Sequence, residues 1–427
     1  MSIRSTGSNE FHQFQFVGMM KMKKTWVNIP DVLFFQEGPG VRNTQYTKKG
    51  VKLLNVANLV DGKVDLSTSD RYISEEEAYG KYKHFLCDAG DLIVASSGIK
   101  VEYIDKKMGF IEKSMLPLCM NTSTIRFKVL DKNKLHIRYF MYYLKSQNFK
   151  GQLAREITGS AQLNYGPSHL KKMKMPLVDI AVQNEIVHQM DKVQKIIDMR
   201  HLELLHLDNL IKARFVEMFG DENNSKKWDV VHIEEVANVQ VGVVIKPAQY
   251  YTDARDGVRA FRSLNIGEGF VKDSDWVYFT EEGHQKNARS ILEENDLLVV
   301  RSGTPGTSCV VTKEYVGYNA IDIIIARPDC EKVNPHYLCT FTNLPHGKRQ
   351  ISEGIGGAAQ QHFNVSKYNQ LKLMLPPKKL QEEFADFVRQ TDKSKSAKAM
   401  KEFNCHIIYY MLHFIQNDFN KNNLNEM

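Results

Sequence analysis

Two stretches almost two hundred residues apart repeat one unusual order of residues. Residues 157–186 read ITGSAQLNYGPSHLKKMKMPLVDIAVQNEI, and residues 355–384 read IGGAAQQHFNVSKYNQLKLMLPPKKLQEEF. Asn319, Tyr337, Gln360, Ser366 and Gln381 each follow Asn121, Tyr139, Gln162, Ser168 and Gln183 by 198 positions. Gln152/Gln350, Ile157/Ile355, Gly159/Gly357, Ala161/Ala359, Lys174/Lys372 and Glu185/Glu383 obey the same register. Upstream the register drifts, as loops of unequal length require. AGDLIVASSG (89–98) answers ENDLLVVRSG (294–303), and LLNVANL (53–59) answers FRSLNIG (261–267). Each copy opens on a tryptophan and a branched aliphatic run, WVNIPDV from Trp26 and WDVVHIEEV from Trp228. Self-similarity of this kind decides the architecture before any local reading does, and here it means a tandem duplication.

Each copy has two physically different parts. The first is rich in short β-branched runs bounded by Gly, Asp and Asn: VKLLNVANL, DLIVASS and NTSTIRFKV, then DLLVVRS and NAIDIIIARP. These predict strands. One late helix is predicted in each copy, over 137–146 and 334–344. The second part is helical. Ile186, Met190, Val193, Ile197, Leu204, Leu207, Ile211 and Met218 follow coiled-coil spacing with one skipped position at Arg200. Pro176 precedes this run, and Gly220 with Asp221 closes it. A lone seam cannot bury itself. The second copy supplies a partner in Phe384 and Phe387, then, after a polar interruption at about 391–402, Phe403, Ile407 and Tyr410.

The expected fold is therefore α+β. Two β-rich domains form a tandem pseudo-twofold repeat, separated by an antiparallel two-helix coiled coil. The expected divisions are an N-terminal extension (1–25), a first domain (26–178), a central helix (179–220), a second domain (221–377) and a C-terminal helix (378–427). The first 25 residues read as a disordered start without the apolar core of a secretory signal.

Composition narrows the class. With 42% hydrophobic and 25% charged residues and no apolar run long enough to span a bilayer, the chain reads as a globular protein without a membrane partner. Its six cysteines, Cys87, Cys119, Cys309, Cys330, Cys339 and Cys405, contain no CxxC pair, which points to reduced thiols in the cytoplasm. The net charge of +7 is compatible with a polyanion but does not demand one.

Two β-rich domains, each opening at a tryptophan, each closing G-small-small-Q…S…L-P…Q-x-E and each feeding a long helix, resemble the specificity subunit of a type I restriction–modification system. The resemblance covers essentially everything after about residue 26, and its most specific parts are 157–220 and 355–390. It implies that the domains are target-recognition heads and the helices spacers. It also implies partners: double-stranded DNA, two adenine methyltransferase (modification) subunits and the restriction/translocase subunits. No cofactor is implied in this chain, since S-adenosylmethionine, ATP and Mg would belong to those partners. Two other classes remain open from the residues alone: a standalone nuclease or other DNA-modifying enzyme with an unrecognised site, and a coiled-coil scaffold without a nucleic-acid role.

Base edges are read by Arg, Lys, Asn, Gln, Ser and Thr from loops, and phosphates by basic groups and backbone amides. Candidate loops recur in both copies. In the first these are Arg42, Lys48 and Lys49, then Ser97 and Lys100, then Arg155, Asn164 and Tyr165. In the second they are Arg301, Ser302 and Thr304, then Lys348 and Arg349, then Gln361, His362 and Asn364. Gly159/Gly357 and Gln162/Gln360 recur in both and so suit structural or phosphate-facing roles. SGTPGTS lacks the Gly-Lys-Ser/Thr of a nucleotide loop. SSGIK has S-x-x-K spacing without companion motifs. His201 and His206 lie off one helical face, unsuited to a metal. No S-adenosylmethionine loop, Asn/Asp-Pro-Pro-aromatic tetrad or acidic nuclease cluster is readable, so no catalytic residue and no metal site is assigned.

Overall fold

Leu92–Ala95 and Leu297–Val300 are unbroken apolar runs, and each becomes a strand buried along its whole length. The structure, a computed structural model, describes residues 24–157, 164–253, 256–355 and 363–396. Around each of these strands stands an antiparallel four-stranded sheet. Its order in the first copy is Leu33–Glu37, Thr124–Val129, Leu92–Ala95, Met108–Phe110. In the second copy it is Ala237–Val241, Ile323–Pro328, Leu297–Val300, Ser308–Val310. A smaller sheet accompanies each. Both small sheets contain one parallel pairing, Val51–Leu54 with Leu118–Met120 and Val258–Phe261 with Asn319–Ala320. The described residues divide into two compact units, the boundary falling between Asp198 and Met199.

The tryptophan-led runs become edge strands paired with the repeated Lys/Leu/Met runs. Thr25–Asn28 pairs with Lys174–Leu177, and Asp229–His232 with Lys372–Leu375. Two helices, rather than the single one predicted, follow the main sheet in each copy: Ile137–Leu144 with Gln147–Glu156, and Pro335–Asn343 with Pro345–Ile355. Ser146 caps the additional helix of the first copy by accepting from the Phe149 amide at 3.2 Å, and Phe149 and Leu153 enter the core. In the second copy Gly347 is packed so closely that a Cβ there would lie 2.3 Å from the Phe341 carbonyl oxygen.

The recurring polar residues explain the 198-residue register. Gln183 is fully buried. Its carboxamide oxygen accepts from the His136 amide at 2.9 Å, and its nitrogen donates to the carbonyls of Lys134 at 2.8 Å and Val178 at 2.7 Å. Gln381 repeats the arrangement on the Asn334 amide and the carbonyls of Lys332 and Pro376. Gln152 and Gln350 each clamp one edge-strand residue at both its amide and its carbonyl, Lys174 and Lys372 respectively. The buried Tyr139 and Tyr337 hydroxyls donate to the carbonyls of Pro176 and Met374. These residues satisfy backbone groups that folding would otherwise bury unpaired.

The long helix runs from Ile180 to Phe219 and contributes to both cores. Near its start Val187 and Met190 are buried in the first, with Ile186 beside them. Near its end Phe215 and Phe219 are buried in the second, with Ile211 and Met218 beside them. Between these, Val193, Ile197, Leu204 and Leu207 are half-buried, and Met199, Leu202, Leu205 and Leu210 are exposed. Phe215 and Phe219, the most deeply buried apolar pair on the helix, lie outside the predicted seam. Gly220 ends the helix in the left-handed region at φ +87°, and the Trp228 indole donates to the Phe219 carbonyl at 3.0 Å.

Lys378–Ser396 forms the last described helix, which continues through the polar TDKSKS segment. It runs antiparallel to the C-terminal part of the long helix. Asp208 pairs with Lys395 at 2.7 Å, Arg214 lies over the Phe387 ring at 6.0 Å, and Phe215 and Phe219 both meet Phe384 edge-on. Burial pulls the Lys395 ammonium down, but Asp208 and Asp392 more than offset this and raise its pKa. Phe403, Ile407 and Tyr410 lie outside the described residues.

Two stability outcomes are expected. Gln183→Ala, which strands three buried backbone groups, should cost about 2–4 kcal/mol. Hydrogen exchange should loosen around residues 134–144 and leave 332–343 protected, with Gln381→Ala giving the reverse. Phe384→Ala should destabilise the second unit by about 3–5 kcal/mol in urea titration.

Candidate nucleic-acid interface

Antiparallel pairing places three loop-bearing points at one end of each main sheet. In the first unit Ala95 faces Thr124 and Ile125 faces Glu37, so the chain leaves or enters at Ser96, Ser123 and Gly38 on the same side. The Ser96 amide donates to the Ser123 carbonyl at 2.8 Å, and the Gly38 amide to Thr124 at 2.9 Å. A Cβ at Gly38 would lie 2.0 Å from the Asn121 carbonyl oxygen, and one at Gly242 would lie 2.2 Å from that of Ala320. Only glycine permits the first loop to start so close to the sheet end in both copies.

The loops paired by sequence meet in space. Ser97 bridges Asn164, and the Tyr165 amide donates to the Ser96 carbonyl at 2.9 Å. In the second unit the Phe363 amide donates to the Arg301 carbonyl at 3.1 Å. The segment carrying Arg42, Lys48 and Lys49 joins them through Asn121, whose side chain accepts from the Val41 amide at 3.3 Å and donates to Asn55 at 2.9 Å. Arg42, Lys48, Lys49, Lys100 and Arg155 are all exposed. Among the described residues none of these five forms an ion pair.

The candidate cations of the second unit are engaged. Arg301 pairs with Asp322 at 2.9 Å and donates to the Phe363 carbonyl at 3.2 Å. Lys348 pairs with Glu268, which Lys212 also approaches at 3.6 Å, and Arg349 pairs with Glu222. Burial pushes the Glu268 carboxyl up, while Lys348 and Lys212 together hold it below its ordinary range. Lys348 has a counterpart 198 residues earlier in Lys150, which pairs with Asp105 at 3.0 Å. The lysine at this place is a structural tether in both copies.

Other sequence candidates fall differently. Tyr165 is 2% exposed and lies in the hydrophobic core, so it is removed from the contact set. Its equivalent is Phe363, also fully buried. Asn364 caps the short helix Val365–Asn369 through the Lys367 amide at 3.0 Å. Thr304 is exposed, and Ser302 is half-buried. Gln361 and His362, with Gly159, Gln162, Gly357 and Gln360, lie outside the described residues. Sequence reasoning missed Asn121 and Asp322. Asn121 was visible only as one member of the repeat, and nothing local marks Asp322 as a carboxylate that closes off an arginine.

Among the described residues no group of three or more His, Cys, Asp or Glu side chains could hold a metal ion. No helix among them is long and apolar enough to cross a membrane. Cys87 and Cys119 are buried, and desolvation pushes both thiols up to about 12.

The type I restriction modification DNA specificity domain matches twice, over residues 28–206 and 225–404. The specificity subunit of the type I restriction enzyme MjaVIII from Methanocaldococcus jannaschii is 22% identical over 203 residues, a match covering 46% of each chain. That of EcoBI from Escherichia coli is 20% identical over 424 residues, covering 91% of this chain and 84% of the other. A solved structure described as the basis of complex assembly and conformational transition of the type I R-M system superposes with a TM-score of 0.52. It covers 93% of this chain and 98% of its own at 13% identity, a likeness of fold. With the domain matched in both copies, the chain belongs to the type I restriction–modification DNA specificity family.

Proposed function

We propose that this chain is the DNA sequence-specificity subunit of a type I restriction–modification complex, each head reading one half of an asymmetric, two-part site. The observation that carries this reading is the division of labour within the repeat. The residues held at 198-residue spacing bind the scaffold together, while the loops at the sheet ends differ in length, charge and sequence. Two equal frames with unequal ends suit two different half-sites. The long helix, about 60 Å at 1.5 Å per residue, sets the distance between half-sites, one to two turns of duplex apart. Linking two weak readers raises their joint affinity through effective concentration.

Methyltransferase subunits dock on the helices and carry S-adenosylmethionine. Restriction subunits join through them and carry ATP and Mg, and the complex works in the cytoplasm. The chain's own part is recognition. In the first head Arg42, Lys48, Lys49, Lys100 and Arg155 hold phosphates, with Ser97 and Asn164 at base edges. In the second head Thr304 and Ser302 meet the duplex, and Lys348 and Arg349 serve structure.

Base-resolution mapping of methylated adenine in cells carrying this chain and its methyltransferase should reveal an asymmetric two-part motif. Replacing residues 26–176 by the equivalent head of a relative should change one half of the motif only. A change in both halves, or in neither, rejects the assignment of one head to one half-site. In duplex binding, Lys48→Ala with Lys49→Ala should weaken affinity and reduce the salt slope by about two. Lys348→Ala should leave the slope unchanged while lowering thermal stability.

A further inference from the structure

The two heads differ at one turn of the main sheet. The connection between the last two strands of the main sheet has twelve residues in the first head, 96–107, and seven in the second, 301–307. The longer one folds into a 3₁₀ helix, Val101–Lys106, anchored by Ile104, which is fully buried, and by Lys150, which donates to the Glu102 carbonyl at 2.9 Å and pairs with Asp105. The tight hairpin turn at Asp61 and Gly62 leans on it, the Gly62 amide donating to the Lys106 carbonyl at 3.1 Å. Between turn and helix lies a cavity of about 440 Å³. Lys100, Lys106 and Lys107 line it with Tyr103, against a single carboxylate, Asp61.

Lys107 is spent on the Leu59 carbonyl at 2.8 Å, and Lys106 lies over the Tyr103 ring at 5.8 Å. Among the described residues none of the three lysines forms an ion pair, and Asp105, next to Lys106 in the chain, is held by Lys150. The cavity thus has a largely apolar wall with a half-exposed tyrosine, and three lysines among the residues that line it. The second head's short turn carries one cation, Arg301, which Asp322 neutralises.

We propose that this cavity is a phosphate-binding site by which the first head alone grips one backbone phosphate of its half-site, with Lys100 and Lys106 as the binding cations. The inference rests on the DNA-reading function proposed above and adds an asymmetry: the first half-site carries a phosphate anchor that the second lacks. Free phosphate compounds share the chemistry, so the test separates them from DNA.

The full chain is titrated onto its mapped duplex, with single phosphates replaced one at a time by neutral methylphosphonates. Among the sensitive positions of the first half-site, wild type should lose roughly tenfold in affinity at the one held by Lys100 and Lys106, distinct from those held by Arg42, Lys48, Lys49 and Arg155. Lys100→Ala with Lys106→Ala should lose a similar factor on the natural duplex, reduce the salt slope by about one, and become indifferent to the methylphosphonate at that position. Both lysines are exposed, so the thermal transition should not move, and a lowered transition would mark the loss as structural and overturn the proposal. If the double variant binds duplex like wild type, or loses affinity with no position of indifference, the phosphate anchor is wrong although DNA reading stands. If ATP binds the free chain, the double variant abolishes that binding, and duplex affinity is unchanged, the cavity serves a free phosphate compound instead. If wild type shows no salt-dependent duplex binding, the parent function falls and the anchor with it.

Discussion

The scaffold of each head turns on one buried carboxamide. Where the chain passes from the main sheet into its first helix, and where the edge strand passes into a long helix, backbone groups lose water with no ladder partner. Gln183 and Gln381 satisfy three such groups each. Each thereby joins the start of a long helix to a turn some forty-seven residues upstream. An unpaired buried amide or carbonyl costs about as much as a whole hydrogen bond contributes, so the position tolerates little else. Glutamate there could accept but not donate. That is why the register survives from Asn121 to Glu185 and from Asn319 to Glu383 while the loops drift.

The aromatic cluster of the second unit depends on that same junction. Gln381 fixes where the last described helix begins, and one turn later Phe384 meets Phe215 and Phe219, in the core that also holds Tyr337. The rings of Phe215 and Tyr337 stack at 5.1 Å, and Phe219 closes on Tyr337 edge-on at 4.7 Å. Helix pairing here follows from bulky rings and one ion pair more than from a continuous aliphatic seam. The polar TDKSKS segment stays helical because its polar groups find partners in place: Thr391 bonds the Phe387 carbonyl, and Lys395 reaches Asp208.

Much of the frame was legible in the sequence, for a physical reason. Repetition marks residues whose role is fixed by the fold, and β-branched runs bounded by turn residues marked the core strands. Periodicity did less well. A 4-3 spacing admits neighbouring solutions, so Ile211 and Met218 were read while Phe215 between them was not, and Leu202, Leu205 and Leu210 belong to no described core. The helices Gln147–Glu156 and Pro345–Ile355 fall partly on segments read as candidate loops, since each carries a glycine and many polar residues and shows only a short apolar face. Site residues were hardest. Whether a lysine is available depends on a carboxylate far along the chain, as Glu268 is from Lys348, eighty residues away.

Charge is accordingly a poor guide until it is sorted by partner. The excess of positive charge lies in the first head, where residues 26–178 hold 23 basic against 15 acidic side chains and residues 221–377 hold 17 against 20. At the loop-bearing end of the second head Arg301, Lys348 and Arg349 are closed by Asp322, Glu268 and Glu222. The first head leaves Arg42, Lys48, Lys49 and Lys100 without carboxylate partners among the described residues. An ammonium already paired releases no counterion on meeting a phosphate, because its charge is already balanced. Equal frames can therefore hold unequal grips. A head whose cations are neutralised must draw its discrimination from hydroxyls, amides and shape, whereas one with open lysines gains affinity from any duplex and needs its base contacts mainly to fix position.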